Sequence, residues 1–340
     1  MGNLICPPGQ SDSADLPARF AENPLEFFTG SSKDFKLARA CLESVIRKIH
    51  AEHESKESAA SVYKDRKVGT RALYWFLNAA ESVRYRELYI ERANFLRGTM
   101  LCATAEGNFD SVYDAFQLGG PSLLSTRSKN SDIQNLDLST MLHCLLEAQA
   151  YWTTHADPLR QPVATFDHAL TIGRSTYMPL SAAGKFFTYS VDTTAGLSIS
   201  AGTFQKVYNA VHTFTPKNGV DPTFLRSLLM LSKPDTPDAS DALMFLRRSE
   251  EPGPEREYIA QLINRTHSAS QAHLFWYIIR AAQLLDDHGR SDDSRWMLSC
   301  GRRNVPSFFN RDLSSLKLSS YRRPRLRSFE GGNLEISNMS

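Results

Sequence analysis

Apolar residues recur at helical spacing through most of this chain, and that period constrains its fold more than any other feature. In residues 34–58 they fall at 35, 37, 41, 42, 45, 46 and 49, with Asp34 and the serines before it as candidate caps. Residues 69–104, 108–118, 136–151, 203–213, 222–231 and 241–248 repeat the pattern, and 257–285 reads as one long helix. A further helix starts near Asp292. The texture changes once. Two runs rich in Thr, Tyr, Phe, Ser and Val, Ala169–Met178 and Lys185–Val191, flank PLSAAG, which is a hairpin signal. The expectation is a mostly α chain with one β-hairpin. It divides into a disordered stretch over 1–30, one helical domain over 31–316, and a basic, flexible tail over 317–340.

The 340 residues are 41% hydrophobic, enough to bury one large core or two smaller ones. A formal net charge of +2 supplies no bulk field for nucleic acid, so no nucleic-acid partner is expected. The tail is the exception. Lys317, Arg322, Arg323, Arg325 and Arg327 occur there without an acidic neighbour. The five cysteines have no zinc-ligand spacing, and Cys41, Cys102 and Cys144 lie among apolar residues as reduced core thiols. The apolar run HLFWYIIRAAQLL is interrupted by Arg280 and is too short to cross a bilayer. No secretory signal peptide is visible at the start.

The chain opens MGNLICPPGQ. Removal of Met1 exposes Gly2 in a myristoylation-like context, with Cys6 where Ser or Thr is usual. A cysteine beside an acylated glycine is a palmitoylation site, and two acyl chains hold a membrane where one holds it only marginally. PPGQSDSADLPARFAENP then reads as a flexible spacer between anchor and domain.

The most informative turn is LLDDHGRSDDSRWMLSCGRRNVPSFF, residues 284–309. A long helix ends there, Gly289 permits a tight turn, and Ser291 is placed to cap the next helix. The N–H groups of that helix start suit an anion, with Arg290 and Arg295 nearby for a phosphate. Asp286, Asp287, Asp292 and Asp293 oppose a bare phosphate, and a divalent cation would reconcile the two. The bland alternative is a capped, charged surface turn. Elsewhere, His143 and Glu147 lie one helical turn apart but lack a third ligand, so no metal site is expected. Phe275, Trp276 and Tyr277 read as core, and His273 beside them as an ordinary edge histidine. No P-loop, G-x-S-x-G or HExxH motif is present.

The same turn resembles the Fic signature HPFxDGNGR. Asp286, Gly289 and Arg290 fall on its Asp, last Gly and Arg, whereas Ala282 stands at its histidine, the general base of AMP transfer. The AvrB family of plant-pathogen type III effectors is a closer resemblance. TIGRSTYMPLSAAGKFFTYSVDTT is similar to its R-x-T-x-Y hairpin, LINRTHS at 262–268 to its L-I-x-R-T-H helix, and the HGRS turn to its R-G-S. That resemblance implies a Fido-like helical domain and a host-delivered bacterial protein with an acylated start. It also implies an enzyme that uses a nucleotide or nucleotide-sugar donor, with no tightly bound cofactor, to modify a host immune regulator or kinase. Carried over residue by residue, Arg290, Arg174, Arg295, Ser291 and His267 would bind the ligand. Thr176 and Asp312 would carry catalysis, and Gly2 and Cys6 the lipids. The expected location is the cytoplasmic face of the host plasma membrane. The alternative is a non-catalytic, membrane-tethered binding module for a host kinase or scaffold, which the four aspartates favour. A viral or eukaryotic membrane-associated protein is a third reading.

Overall fold

A computed structural model describes residues 16–79, 89–119, 131–173, 183, 184, 186, 187, 190, 199–214, 221–264 and 268–309. Helices hold 81% of them, and no strand occurs among the described residues. The first half contains α1 (Ala18–Glu22), a 3-10 turn (Pro24–Thr29), α2 (Phe35–Glu52), α3 (Lys56–Arg66), α4 (Val68–Ala79) and α5 (Tyr89–Glu106). It continues with α6 (Phe109–Gly119), α7 (Ser131–Trp152) and α8 (Arg160–Gly173). The second half contains α9 (Ala201–Phe214), α10 (Pro222–Met230), α11 (Ser240–Arg248), α12 (Pro254–Asn264), α13 (Ser268–Asp287), α14 (Ser291–Asn304) and α15 (Pro306–Phe309). Contacts divide the chain into two compact units between Ala183 and Gly184, where the sequence suggests one domain over 31–316.

In the N-terminal unit, α5 is the central helix, with α2, α3, α4 and α7 packed on it. Helices α4 and α5 cross with their backbones in close approach. A Cβ on Gly69 would lie 2.2 Å from the backbone nitrogen of Ala103, so only glycine lets the two backbones approach this far. The same crossing is fastened at its end. The Glu106 carboxylate, on the last turn of α5, accepts the backbone N–H groups of Gly69 and Thr70 and the Thr70 hydroxyl. A side chain remote in sequence thereby caps the start of α4. Asp34 caps α2 locally, as its spacing suggests, through the Lys36 and Leu37 N–H groups.

Several sequence expectations change. The spacer read over residues 7–24 ends earlier, because α1 and the 3-10 turn bury Phe20, Leu25, Phe27 and Phe28. Phe28 packs edge-on against Trp75 and Phe27 tilts against the same ring, and apolar area of that size outweighs the proline and glycine content upstream. Residues 169–173 of the first hairpin run close α8 as helix, and residues 186, 187 and 190 of the second are also helical. The other residues of those runs lie outside the described residues. Their β-branched and aromatic content suits a strand, but Phe166, Ala169, Phe186 and Phe187 satisfy the same burial from helices. The long helix read over 257–285 is two helices, α12 and α13, with 265–267 outside the described residues; the Gln271 amide donates to the Ile263 carbonyl at the end of α12. Cys41, Cys102, Cys144 and Cys300 are buried free thiols.

Gly69→Ala should lower stability by about 3 kcal/mol through overpacking, and Glu106→Ala by about 1–2 kcal/mol through the lost cap. Urea denaturation checks both. A wild-type midpoint for Gly69→Ala would contradict the close crossing.

Candidate functional site

The C-terminal unit is built on α13, whose buried face carries Leu274, Phe275, Tyr277, Ile278, Ala281, Ala282 and Leu285. Phe224, Phe245, Tyr258 and Met297 close the core around it. Tyr277 and Ser227 share a buried hydroxyl contact of 2.7 Å, and the Ser227 hydroxyl also lies 2.8 Å from the Phe224 carbonyl. Ala282, which the sequence resemblance sets against the Fic histidine, is a core residue with no polar group to offer.

Helix α13 ends in a Schellman motif. Arg290 N–H donates to the Leu285 carbonyl at 2.8 Å and Gly289 N–H to Asp286 at 2.9 Å, while Gly289 has φ +74°. The tight turn at Gly289 is thus present as the sequence suggests. The cap differs. Helix α14 starts with Arg290 at the N-cap position and no side-chain cap, so Ser291 is the first helical residue. Its hydroxyl donates to Asp286 Oδ1 at 2.7 Å.

Arg290 is half-buried and engaged on three donors. Its Nε lies 2.9 Å and its Nη2 2.8 Å from Asp293 Oδ2, and its Nη1 donates to Ser240 Oγ at 2.9 Å. The other oxygen of Asp293 takes Arg247 Nη2 at 2.7 Å, and the Arg247 guanidinium lies 5.4 Å from the Trp296 ring centre. One carboxylate therefore joins two guanidinium groups and ties α11 to the first turn of α14. Asp238 completes the cluster. Burial works to raise its carboxyl, but hydrogen bonds from Ser240, with Arg290 and His288 near, outweigh burial and hold it below the usual carboxylate range. Asp292 and Asp293 also occupy the first turn of α14, where carboxylates complement the positive helix end.

The remaining predicted residues divide into two groups. Arg295 is largely exposed and paired with Asp292. Arg174, Thr176, His267, Asp312, Gly2 and Cys6 lie outside the described residues. Among the described predicted residues, the structure thus brings Arg290 and Ser291 together around the α13–α14 turn, with Arg295 one turn further along α14.

A second charged cluster lies in the N-terminal unit. Glu147 accepts from Arg97, with Nε and Nη2 both at 3.2 Å, and lies 3.4 Å from His143 Nε2. Burial works to raise Glu147, but the His143 and Arg97 contacts outweigh it and hold the carboxyl low. The i,i+4 spacing of His143 and Glu147 is visible in sequence; Arg97, on α5, is brought in only by packing. Among the described residues no three of His, Cys, Asp and Glu gather as metal ligands. No helix of the described residues is long and apolar enough to cross a membrane. Comparison with protein-family models, curated proteins and solved structures finds no match to this chain.

Gly289→Ala should cost about 1 kcal/mol. A Cβ there meets nothing within 4 Å, so the whole penalty is the left-handed backbone. Thermal unfolding checks this, and an unchanged midpoint would contradict the Schellman geometry.

Proposed function

We propose that this chain is a membrane-tethered helical binding module, a bacterial effector of the AvrB type that engages a host immune regulator, kinase or scaffold without chemical turnover. The observation that carries this reading is the engagement of Arg290. A phosphate at the α13–α14 turn would have to displace Asp293, which Arg290 and Arg247 hold from opposite sides, and would meet Asp286, Asp287 and Asp292 as well. Like charges around a would-be anion site oppose binding rather than assist it. Ala282 adds support, since a buried methyl group cannot accept the proton that group transfer to a hydroxyl requires.

Gly2 and Cys6 supply the tether in this reading, with the cytoplasmic face of the host plasma membrane as the place of action. The Fido-like relationship belongs to the same proposal and rests on the Arg290 turn and the residues that resemble the AvrB hairpin.

The test is a thermal-shift screen of the full chain against nucleotides and nucleotide-sugars with magnesium. The expected outcome is no shift. A donor present at 100 times its Kd would stabilise the fold by about 2.7 kcal/mol and raise Tm by several degrees. Such a shift, abolished by Arg290→Ala, would overturn the binding-module reading in favour of a transferase. The tether is tested by fractionating plant cells that express the wild type, Gly2→Ala and Cys6→Ala. Both variants should leave the membrane fraction, and retention of both would remove the tether.

A further inference from the structure

His50 lies near the end of α2, where α3 and α7 meet it. Its ring stacks on Trp152 of α7, with centres 6.2 Å apart and an interplanar angle of 25°, and tilts against Tyr63 of α3 at 6.0 Å. Trp152 cannot turn to help it, because its indole N–H is committed to the Leu101 carbonyl of α5 at 2.9 Å. His50 Nε2 and Tyr63 Oη are both buried, and neither has a hydrogen-bond partner among the described residues. Two unmet polar atoms in one aromatic cluster make the closed arrangement costly, and water would satisfy both on opening.

We propose that His50 makes the corner between α2, α3 and α7 an acid-sensitive switch, opened when its ring takes up a proton. A neutral imidazole needs only one N–H bond and leaves a lone pair on the other nitrogen. The imidazolium has two N–H donors and a full charge, and the geometry offers Nε2 no acceptor. The titratable groups around it give no counter-charge. Tyr63 and Cys102, which interact with each other, and Tyr151 all keep their protons because burial pushes them up. Lys56 of α3 donates to the Tyr151 carbonyl and sits 4.1 Å from that ring's centre, so the charge this cluster holds on α3 is positive, with Glu57 acting on Lys56 itself. On and just beyond α2, Arg47 and Lys48 are cationic and Glu52 and Glu54 acidic, and none of the four forms an ion pair or hydrogen bond with His50 among the described residues. Burial lowers the proton affinity of His50, which is the direction this environment requires.

The sign follows from linkage. A histidine whose folded pKa is depressed stabilises the fold fully above its unfolded value of about 6.5, and that contribution is lost as pH falls toward the folded value. The His143–Glu147 pair has the opposite sense, since a proton on His143 strengthens it. A variant at His50 is therefore needed to isolate the effect.

The experiment is amide hydrogen exchange of the full chain between pH 7.5 and 5.5, corrected for intrinsic rates, read at α3 and the last turns of α2 and α7. In the wild type the opening equilibrium should rise by up to about tenfold per pH unit below pH 6.5, the slope of one proton. His50→Phe keeps the ring and removes the titration, so its exchange at α3 should show no such rise. Equal acid loosening in both proteins, or none in the wild type, would overturn the proposal. If His50→Phe does not fold, the wild-type His50 Cε1–H resonance decides. A titration midpoint below about 6.5 supports the switch, and one at or above it overturns it.

Discussion

The Asp293 carboxylate held between Arg290 and Arg247 is the interaction on which the functional reading depends. Each pair alone is a partly exposed ion pair, worth up to about 1 kcal/mol. Their effect is geometric. Together with Ser240 they fix the turn after α13 against the start of α11, so the direction in which α14 leaves is set by side chains rather than by the turn alone. An arginine at a helix start is the usual raw material of a phosphate site. Here the same chemistry is satisfied from within, and the helix end meets carboxylates instead of an empty cradle.

The N-terminal unit achieves order differently. Its decisive contact is steric, the approach of α4 to α5 at Gly69 and Ala103, and the Glu106 cap follows from it because the crossing brings that carboxylate over the first turn of α4. An aromatic cluster of Phe27, Phe35, Trp75, Phe76 and Phe95 then recruits the residues just after the proposed anchor. Phe20, the first ring to be buried, limits how far a lipid at Gly2 can stand from this unit to about 60 Å of extended chain.

Much of this was legible in the sequence. Helical periodicity located α2, α9, α10 and α11, because their apolar faces are regular and caps such as Asp34 and Asp221 are local, whereas α7 was legible from its long run of helix-forming residues rather than from a regular face. Gly289 was legible for the same reason, since a Schellman turn is a property of six consecutive residues. What failed to show was non-local. The start of α4 is capped by a residue of α5; the counter-charge of Arg290, Asp293, is only three residues away, but the Ser240 hydroxyl that Arg290 also reaches and the Arg247 that shares Asp293 come from α11, some fifty positions earlier. The β-like residues at 169–173 belong to a helix because burial, not intrinsic preference, decides a short apolar run. The orphan nitrogen of His50 has no sequence signal at all, because it depends on what α3 and α7 leave uncovered.

Arg290 is a structural arginine, coupled to Asp293 rather than reserved for a ligand. A double-mutant cycle with Arg290→Ala, Asp293→Ala and the double variant, followed by urea denaturation without added ligand, tests this most directly. A coupling of about 1 kcal/mol is predicted, with the double variant losing less than the sum of the two single changes. Strict additivity would contradict a structural role, because it would leave Arg290 energetically independent of its carboxylate and available to an anion.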